Sequence, residues 1–250
     1  MLVQCCKELN ATDQNEDRRT PASVGDYLFI SVNKDRTSFE IHRLVQIATQ
    51  KWLNGEGQQE RWKQQFISVL CAELPNGEYE NWSRCRTLLP HARSAATQRP
   101  KEEASLQDWA TVLYKTTWYL LRMGNGSEAE KLSTAAMNVR IKILGRKYKD
   151  TADAITMAGL AYDFMGRWEA AEKLLIETME TRKQKPRADH PSTLTSMANL
   201  ASTYRNQGRW ETAEKLEVEV METSKQKLGV DHPSTLASMN DLAFTWHRLG

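Results

Sequence analysis

The sequence predicts a mainly α-helical solenoid of stacked helical hairpins, preceded by a small α+β unit. Three observations carry that expectation. A block of residues recurs at a fixed spacing, each copy divides into two segments of helical periodicity, and residues 27–41 follow a strand-like pattern instead.

The recurrence is plain. Asp189-His190-Pro191-Ser192-Thr193-Leu194 returns as Asp231-His232-Pro233-Ser234-Thr235-Leu236, and from 189 to 231 the period is 42 residues. The same offset carries Gly166-Arg167-Trp168-Glu169 onto Gly208-Arg209-Trp210-Glu211 and Ala171-Glu172-Lys173-Leu174 onto Ala213-Glu214-Lys215-Leu216. A more diverged copy around Gly124 and Ala129-Glu130-Lys131-Leu132 extends the array backwards, giving units of about 106–147, 148–188, 189–230 and a partial 231–250. A fixed period of this length is the signature of a repeat architecture.

Within each unit the first helix, A, is read from Ser192 to Gln207, where Leu194, Met197, Leu200, Ala201 and Tyr204 fall on one stripe. Asp-His-Pro-Ser supplies a polar cap and then a proline, which the first turn tolerates because its missing N–H would be unpaired there. Gly208 is suited to the left-handed backbone that ends a helix, and Arg209-Trp210-Glu211 opens helix B, which runs to about Lys227. Ala213, Leu216, Val220 and, less regularly, Met221 form its inner face. One such hairpin cannot cover its own apolar surface, so neighbours must stack. These residues resemble the tetratricopeptide repeat (TPR) family, in the 42-residue variety of kinesin light chains. The resemblance covers about 106–250 and rests on Asp231-His232-Pro233-Ser234-Thr235-Leu236 after Leu228-Gly229, Asn199-Leu200-Ala201, Tyr204, Gln207-Gly208-Arg209-Trp210 and Ala213-Glu214, with Met157 and Asp241 departing from the Asn199 position. It implies a superhelix with the A helices lining a concave binding groove.

The first hundred residues differ. Tyr27-Leu28-Phe29-Ile30-Ser31-Val32 is a β-branched apolar run, Asn33-Lys34-Asp35-Arg36 is turn-like and Ser38-Phe39-Glu40-Ile41 alternates, which predicts a β-hairpin. A helix follows with Leu44, Val45, Ala48 and Trp52 on one face, ended by Asn54-Gly55. Hairpin plus helix is the expected tail of a winged-helix-like unit over 1–55, with a polar, mobile loop at 10–20. Residues 56–100 are expected to be a helical linker: Trp62, Phe66, Val69, Leu70 and Leu74 on one helix ended by Pro75-Asn76-Gly77, and Trp82, Cys85, Leu88 and Leu89 on another interrupted at Pro90. Phe39-Glu40-Ile41-His42-Arg43-Leu44-Val45-Gln46, Trp52-Leu53 and Leu88-Leu89-Pro90-His91-Ala92, placed ahead of the repeats, are similar to the C-terminal part of fungal NB-ARC/TPR, or NLR-like, proteins. That resemblance implies a phosphate-sensing role for His42 in a longer parent. The residues themselves also fit a structural hairpin-to-helix role, and the chain has no GxxxxGK[ST] loop with which to bind nucleotide itself.

Composition narrows the function. The 34 Lys+Arg stand against 32 Asp+Glu, a formal charge of +2 with the signs interspersed, which argues against nucleic acid as a partner. No apolar run approaches the roughly 18 residues needed to span a bilayer, so no membrane partner is expected. The N-terminus lacks the pattern of a secretory signal, leaving the cytoplasm as the expected location. Cys5, Cys6, Cys71 and Cys85 form no CxxC pair, so reduced thiols are expected and neither a metal nor another cofactor is.

The functional expectation is a non-catalytic scaffold binding a protein or peptide. Helix A residues pointing away from the stripe are the candidates: Asn199, Ser202, Arg205 and Asn206, with Asp241 and His247 in the last copy and Asp153, Thr156 and Asp163 earlier. An asparagine amide can donate to and accept from an extended peptide, and an arginine can pair with a carboxylate. His190 and His232, recurring once per unit at a helix start, read as caps and packing residues rather than metal ligands or bases. The eight tryptophans read as core. Uncapped repeat ends predict self-association. The other expected role is the sensor end of a nucleotide-dependent switch whose ATPase lies upstream.

Overall fold

The computed structural model describes residues 30–32, 39–183 and 190–250, with side chains from 41 onward. Cys5, Cys6, the loop at 10–20, the strand positions Tyr27 to Phe29, the turn 33–36, Ser38 and Asp189 lie outside the described residues. The chain divides into two compact units, 1–69 and 70–250.

In the first unit, β1 (Ile30–Val32) and β2 (Phe39–Ile41) pair antiparallel, with Ile30 opposite Ile41 and Val32 opposite Phe39. The chain then turns into α1 (Arg43–Gly55). His42 caps this helix: its Nδ1 accepts from the Leu44 N–H at 3.2 Å. Leu53 is buried, but Leu44 and Trp52, expected on a packed face, are 66% and 59% exposed. Two three-residue strands and this helix make no winged-helix core among the described residues. The hairpin is present, and nothing else among the described residues supports a winged-helix-like unit.

The division between units falls inside α2 (Gln59–Glu73). In the second unit a 3-10 turn at Tyr79–Asn81 leads into α3 (Trp82–Ala96), which runs through Pro90 without a break. Its lining of Cys85, Ala92 and Ala95 is buried, and that burial holds the helix together across the proline. Lys115 donates to the carbonyls of Cys71 and Leu74 at 2.9 and 2.8 Å, satisfying acceptors at the C-terminus of α2. Cys71 and Cys85 are free thiols, and burial pushes both above the ordinary thiol range, which keeps them protonated.

The array follows as α4 (Glu103–Arg122), α5 (Gly126–Leu144), α6 (Lys149–Phe164), α7 (Trp168–Lys183), α8 (Pro191–Asn206), α9 (Trp210–Leu228) and α10 (Pro233–Leu249). Helices α4, α6, α8 and α10 are A helices, and α5, α7 and α9 are B helices. The expected stripe is the core: Leu194, Met197, Leu200, Ala201 and Tyr204 are all buried. Opposite them Ala129, Ala171 and Ala213, one per repeat, are fully buried, and their small size lets each B helix approach its A helix. Gly159 serves the same end from the A side, since a Cβ there would meet Leu175 at 3.0 Å. One cluster of Leu175, Leu200, Ala201, Tyr204 and Ala213 joins α7, α8 and α9. Separate clusters fill the earlier junctions: Leu120, Ala129 and Ala161 across α4, α5 and α6, and Met137, Ala154, Ile155 and Ala158 across α5 and α6.

Gly124, Gly166 and Gly208 adopt φ of 76°, 72° and 75°, a left-handed turn that reverses the chain between A and B at each repeat. His190 and His232 cap α8 and α10, their Nδ1 atoms accepting from the N–H of Ser192 and Ser234 at 3.2 and 3.1 Å. Replacing His232 by alanine is expected to lower stability by about 1 kcal/mol, read as a shift in urea midpoint, and His232→Asn to recover most of it. An unchanged midpoint in the alanine variant would show the cap to be idle.

Two arginine devices repeat with the same offset. Arg140 on α5 donates to the Asp150 carbonyl and the Thr111 hydroxyl at 2.8 and 3.1 Å. Arg182 on α7 does the equivalent, to the Ser192 carbonyl at 3.0 Å and the Asp153 carboxylate. Each ties a B helix to its own A helix and to the first turn of the next. Arg167 pairs with Glu130 and lies over Tyr162, and Arg209 pairs with Glu172 and lies over Tyr204, its guanidinium 4.3 Å from the ring. The recurrent Gly-Arg-Trp and Ala-Glu-Lys-Leu motifs are thereby joined across the repeat junctions. Burial alone would raise the Glu172 carboxyl, but the hydrogen bonds from Gln207 and Arg209 hold it below its ordinary range.

On α10 the stripe is only partly covered, with Leu242 buried. Leu236 is 50% and Trp246 51% exposed, whereas Leu194 and Tyr204, their counterparts on α8, are each 7% exposed beneath α9. Tryptophan is also less central than its count predicts. Only Trp109 of the eight is buried, with its Nε1 donating to the Ala95 carbonyl, because the others sit at helix starts and rims where their rings are half covered.

Candidate functional site

The A helices bring their outer positions together around one cavity of about 590 Å³. From α4 come Tyr114, Trp118, Leu121 and Arg122, and from α6 Asp153, Thr156, Met157, Leu160, Asp163 and Phe164. Ser192, Thr195 and Asn199 of α8 close the far side, and Arg182 reaches in from α7. These positions meet because residues 42 apart occupy the same place on successive A helices. Trp118, Leu160 and Ser202 share one register, and Arg122, Phe164 and Asn206 another.

Of the residues expected to bind a ligand, Asn199 lines this cavity, as do Asp153, Thr156 and Asp163. Ser202 is half-buried on α8 and outside the lining. Asn206 is exposed and donates its Nδ2 to Asp163 Oδ2 at 2.9 Å, joining α8 to α6. His247 is exposed on α10. His42 lies in the first unit, where its Nδ1 is engaged as the α1 cap.

Arg205 and Asp241 belong to a different arrangement. Arg205 pairs with Glu217 of α9 at 2.7 Å and with Asp241 of α10 at 3.4 Å, and it also donates to the Asp241 carbonyl. Its guanidinium lies 5.6 Å from the centre of the Phe244 ring. Glu217 is 3% exposed, so the arginine neutralises a buried carboxylate and is not held out for a ligand. Arg205, expected in the groove, is outside the cavity lining, and its side chain turns inward to the buried charge.

Charge in the cavity is largely matched. Arg182 neutralises Asp153, and Arg140 lies 5.1 Å from the centre of the Tyr114 ring. Burial raises the Tyr114 hydroxyl above its ordinary range, with the Asp153 charge adding to it, so the group stays a neutral donor. Asp163 differs: Oδ1 is buried without a hydrogen-bond partner, and no lysine or arginine among the described residues forms an ion pair with it. No cluster of three or more His, Cys, Asp or Glu side chains placed to hold a metal occurs among the described residues. No helix among them is long and apolar enough to cross a membrane.

The sequence reading missed Tyr114, Trp118, Leu121, Arg122, Met157, Leu160, Phe164, Arg182, Ser192 and Thr195. Carrying the Asn199, Ser202 and Asn206 positions back by one and two periods reaches Met157, Leu160, Trp118, Phe164 and Arg122, so the signal was present in the repeat itself.

Comparison with known proteins bears on the repeats that carry this cavity. Residues 119–184 and 193–234 each match a tetratricopeptide repeat family model. A nucleotide-binding leucine-rich repeat (NLR)-like protein of Hyaloscypha variabilis is 36% identical over 125 residues, covering 50% of this chain and 13% of that protein. The chain therefore spans only a small part of that relative's length. Among solved structures, the nearly identical TPR-like repeats of a Podosopora anserina chain named for kinesin light chain superpose with a TM-score of 0.53. That match is at 20% identity and covers 67% of this chain and 84% of that one. BtubC (BKLC) from P. vanneervenii gives 0.51 at 16% identity, covering 68% and 66%. The structural likenesses establish a kinesin-light-chain-like TPR fold.

Proposed function

We propose that this chain, which carries tetratricopeptide repeats, is a non-catalytic scaffold that holds a peptide or protein segment in the cavity between α4, α6 and α8. The observation carrying this reading is the convergence of side chains from three successive A helices on one depression of about 590 Å³, a size suited to a few residues of extended chain. Asn199 would clamp the ligand backbone, and Thr156, Thr195 and Ser192 offer further hydrogen-bonding groups around it. Ser202, Asn206, Asp241 and His247 would flank a longer ligand. With the signs of charge interspersed, the partner is a protein and not nucleic acid.

Selection from a random 12-residue peptide library displayed on phage tests this. Binders should emerge whose affinity falls about tenfold in Thr195→Arg and Asn199→Ala, roughly 1.4 kcal/mol, and is unchanged in Lys173→Ala on the exposed face of α7. Binders indifferent to Thr195→Arg would move recognition off this cavity.

The similarity to the NLR-like protein favours a second reading, in which these residues are the sensing end of a switch whose nucleotide-binding module lies elsewhere in a longer parent. There His42, whose Nδ1 is committed to the helix cap, would offer Nε2 to a phosphate.

A further inference from the structure

Which side chains the groove selects can be read from how its chemistry changes along the repeats. At one register the residues are Trp118, Leu160 and Ser202, and at the next Leu121, Asp163 and Arg205. The wall between α4 and α6 is therefore apolar and the wall toward α8 polar. Trp118 is held edge-on against Tyr114, with ring centres 6.3 Å apart. The Phe164 ring rests against Gly126, where any side chain would collide with it, and is itself 53% exposed. Trp118, Leu121, Leu160 and Phe164 thus frame a preformed apolar notch whose rings have little freedom to lose on binding.

Beside the notch stands Asp163. Asp153, one of the other charges there, is already neutralised by Arg182. Asp163 has a single neutral donor, the Asn206 amide, on one oxygen and nothing on the other, which is buried. A dehydrated carboxylate oxygen without a donor is costly to the free protein and rewards a ligand cation strongly. Arg122 on the same rim carries the opposite charge, but it is exposed and its field is screened by water. The dehydrated group decides the balance. We propose that the groove selects an extended peptide carrying an aromatic or long aliphatic anchor next to a lysine or arginine, the anchor filling the notch and the cation pairing with Asp163. This rests on the peptide-binding reading above and adds the ligand's chemistry to it.

The test uses the full chain and labelled ten-residue peptides on a Gly/Ser background, followed by fluorescence anisotropy. Each carries one tryptophan flanked two residues away on both sides by lysine, serine or glutamate, and a fourth carries the lysines without tryptophan. The lysine-flanked tryptophan peptide should bind about tenfold more tightly than the serine one, with the glutamate peptide weaker still and the peptide lacking tryptophan not binding. Asp163→Asn keeps the hydrogen bond to Asn206 within reach and should erase the lysine preference while leaving the serine-flanked peptide unaffected. Glutamate matching or exceeding lysine, or a lysine preference that survives Asp163→Asn, would overturn this proposal and leave the groove reading standing, provided binding is still lost in Thr195→Arg. Absence of binding by every peptide, or binding indifferent to Thr195→Arg, would sink both.

Discussion

Arg205→Ala is expected to cost about 3–5 kcal/mol, because it leaves the buried Glu217 carboxylate without its cation. The price is set by geometry: at 3% exposure Glu217 has little access to water, and its Oε2 already lacks a hydrogen-bond partner. The loss should depend on pH in a definite sense. Burial holds the Glu217 carboxyl above its ordinary range, with the Thr245 hydroxyl and Arg205 opposing and the Asp241 charge adding to the rise. The folded chain thus takes up this proton more readily than the unfolded one. Its contribution to stability is full below the ordinary carboxylate range and is lost as pH rises through the elevated value. Removing the cation raises that value further, so the deficit of Arg205→Ala should be largest near about pH 7 and shrink by about pH 5. Denaturant titrations of both chains at the two pH values measure it, and Glu217→Gln in the variant background should restore part of the stability at neutral pH. A deficit that grows on acidification would reverse the assignment.

Leu175→Ala should cost about 3 kcal/mol, within the range of roughly 2–5 for emptying a leucine site in a closed core. Leu175 is fully buried in the cluster that joins α7 to α8 and α9, and Gly159, directly against it, has no side chain to move into the void. Because each repeat touches only its neighbours, the damage should stay local. Hydrogen exchange should accelerate in α7 and α8 well before α4 and α5. Uniform acceleration across the array would show that the repeats unfold as one block.

Leu175 and Arg205 also show what the sequence could and could not reveal. The turns, caps and apolar stripe were legible because each depends on local chemistry: a glycine for positive φ, a histidine ahead of proline, residues three and four apart on one face. The buried position of helix B was not, because Ser133, Leu175 and Glu217 occupy it in successive repeats and all are buried. A glutamate there looks like solvent-facing surface until the fold brings Arg205 against it from the preceding helix. Arg140 and Arg182 escaped notice for a similar reason. Their equivalence lies in the period, but their partners are a backbone carbonyl and residues 29 positions back, Thr111 and Asp153. The exposure of Leu44 and Trp52 on α1 was not legible either, since periodicity marks an apolar face without saying what covers it.

Successive A helices are bridged by side chains that cross each junction. Between α6 and α8 these are the Asn206 amide on Asp163 and the Arg182 guanidinium, which reaches Asp153 on one side and Ser192 and Ser196 on the other. Between α8 and α10 the ion pair of Arg205 with Asp241 is anchored on Glu217. A wedge driven into the array would therefore have to break an arginine clip on either side of α8, so the spacing that an occupant meets is set before it arrives.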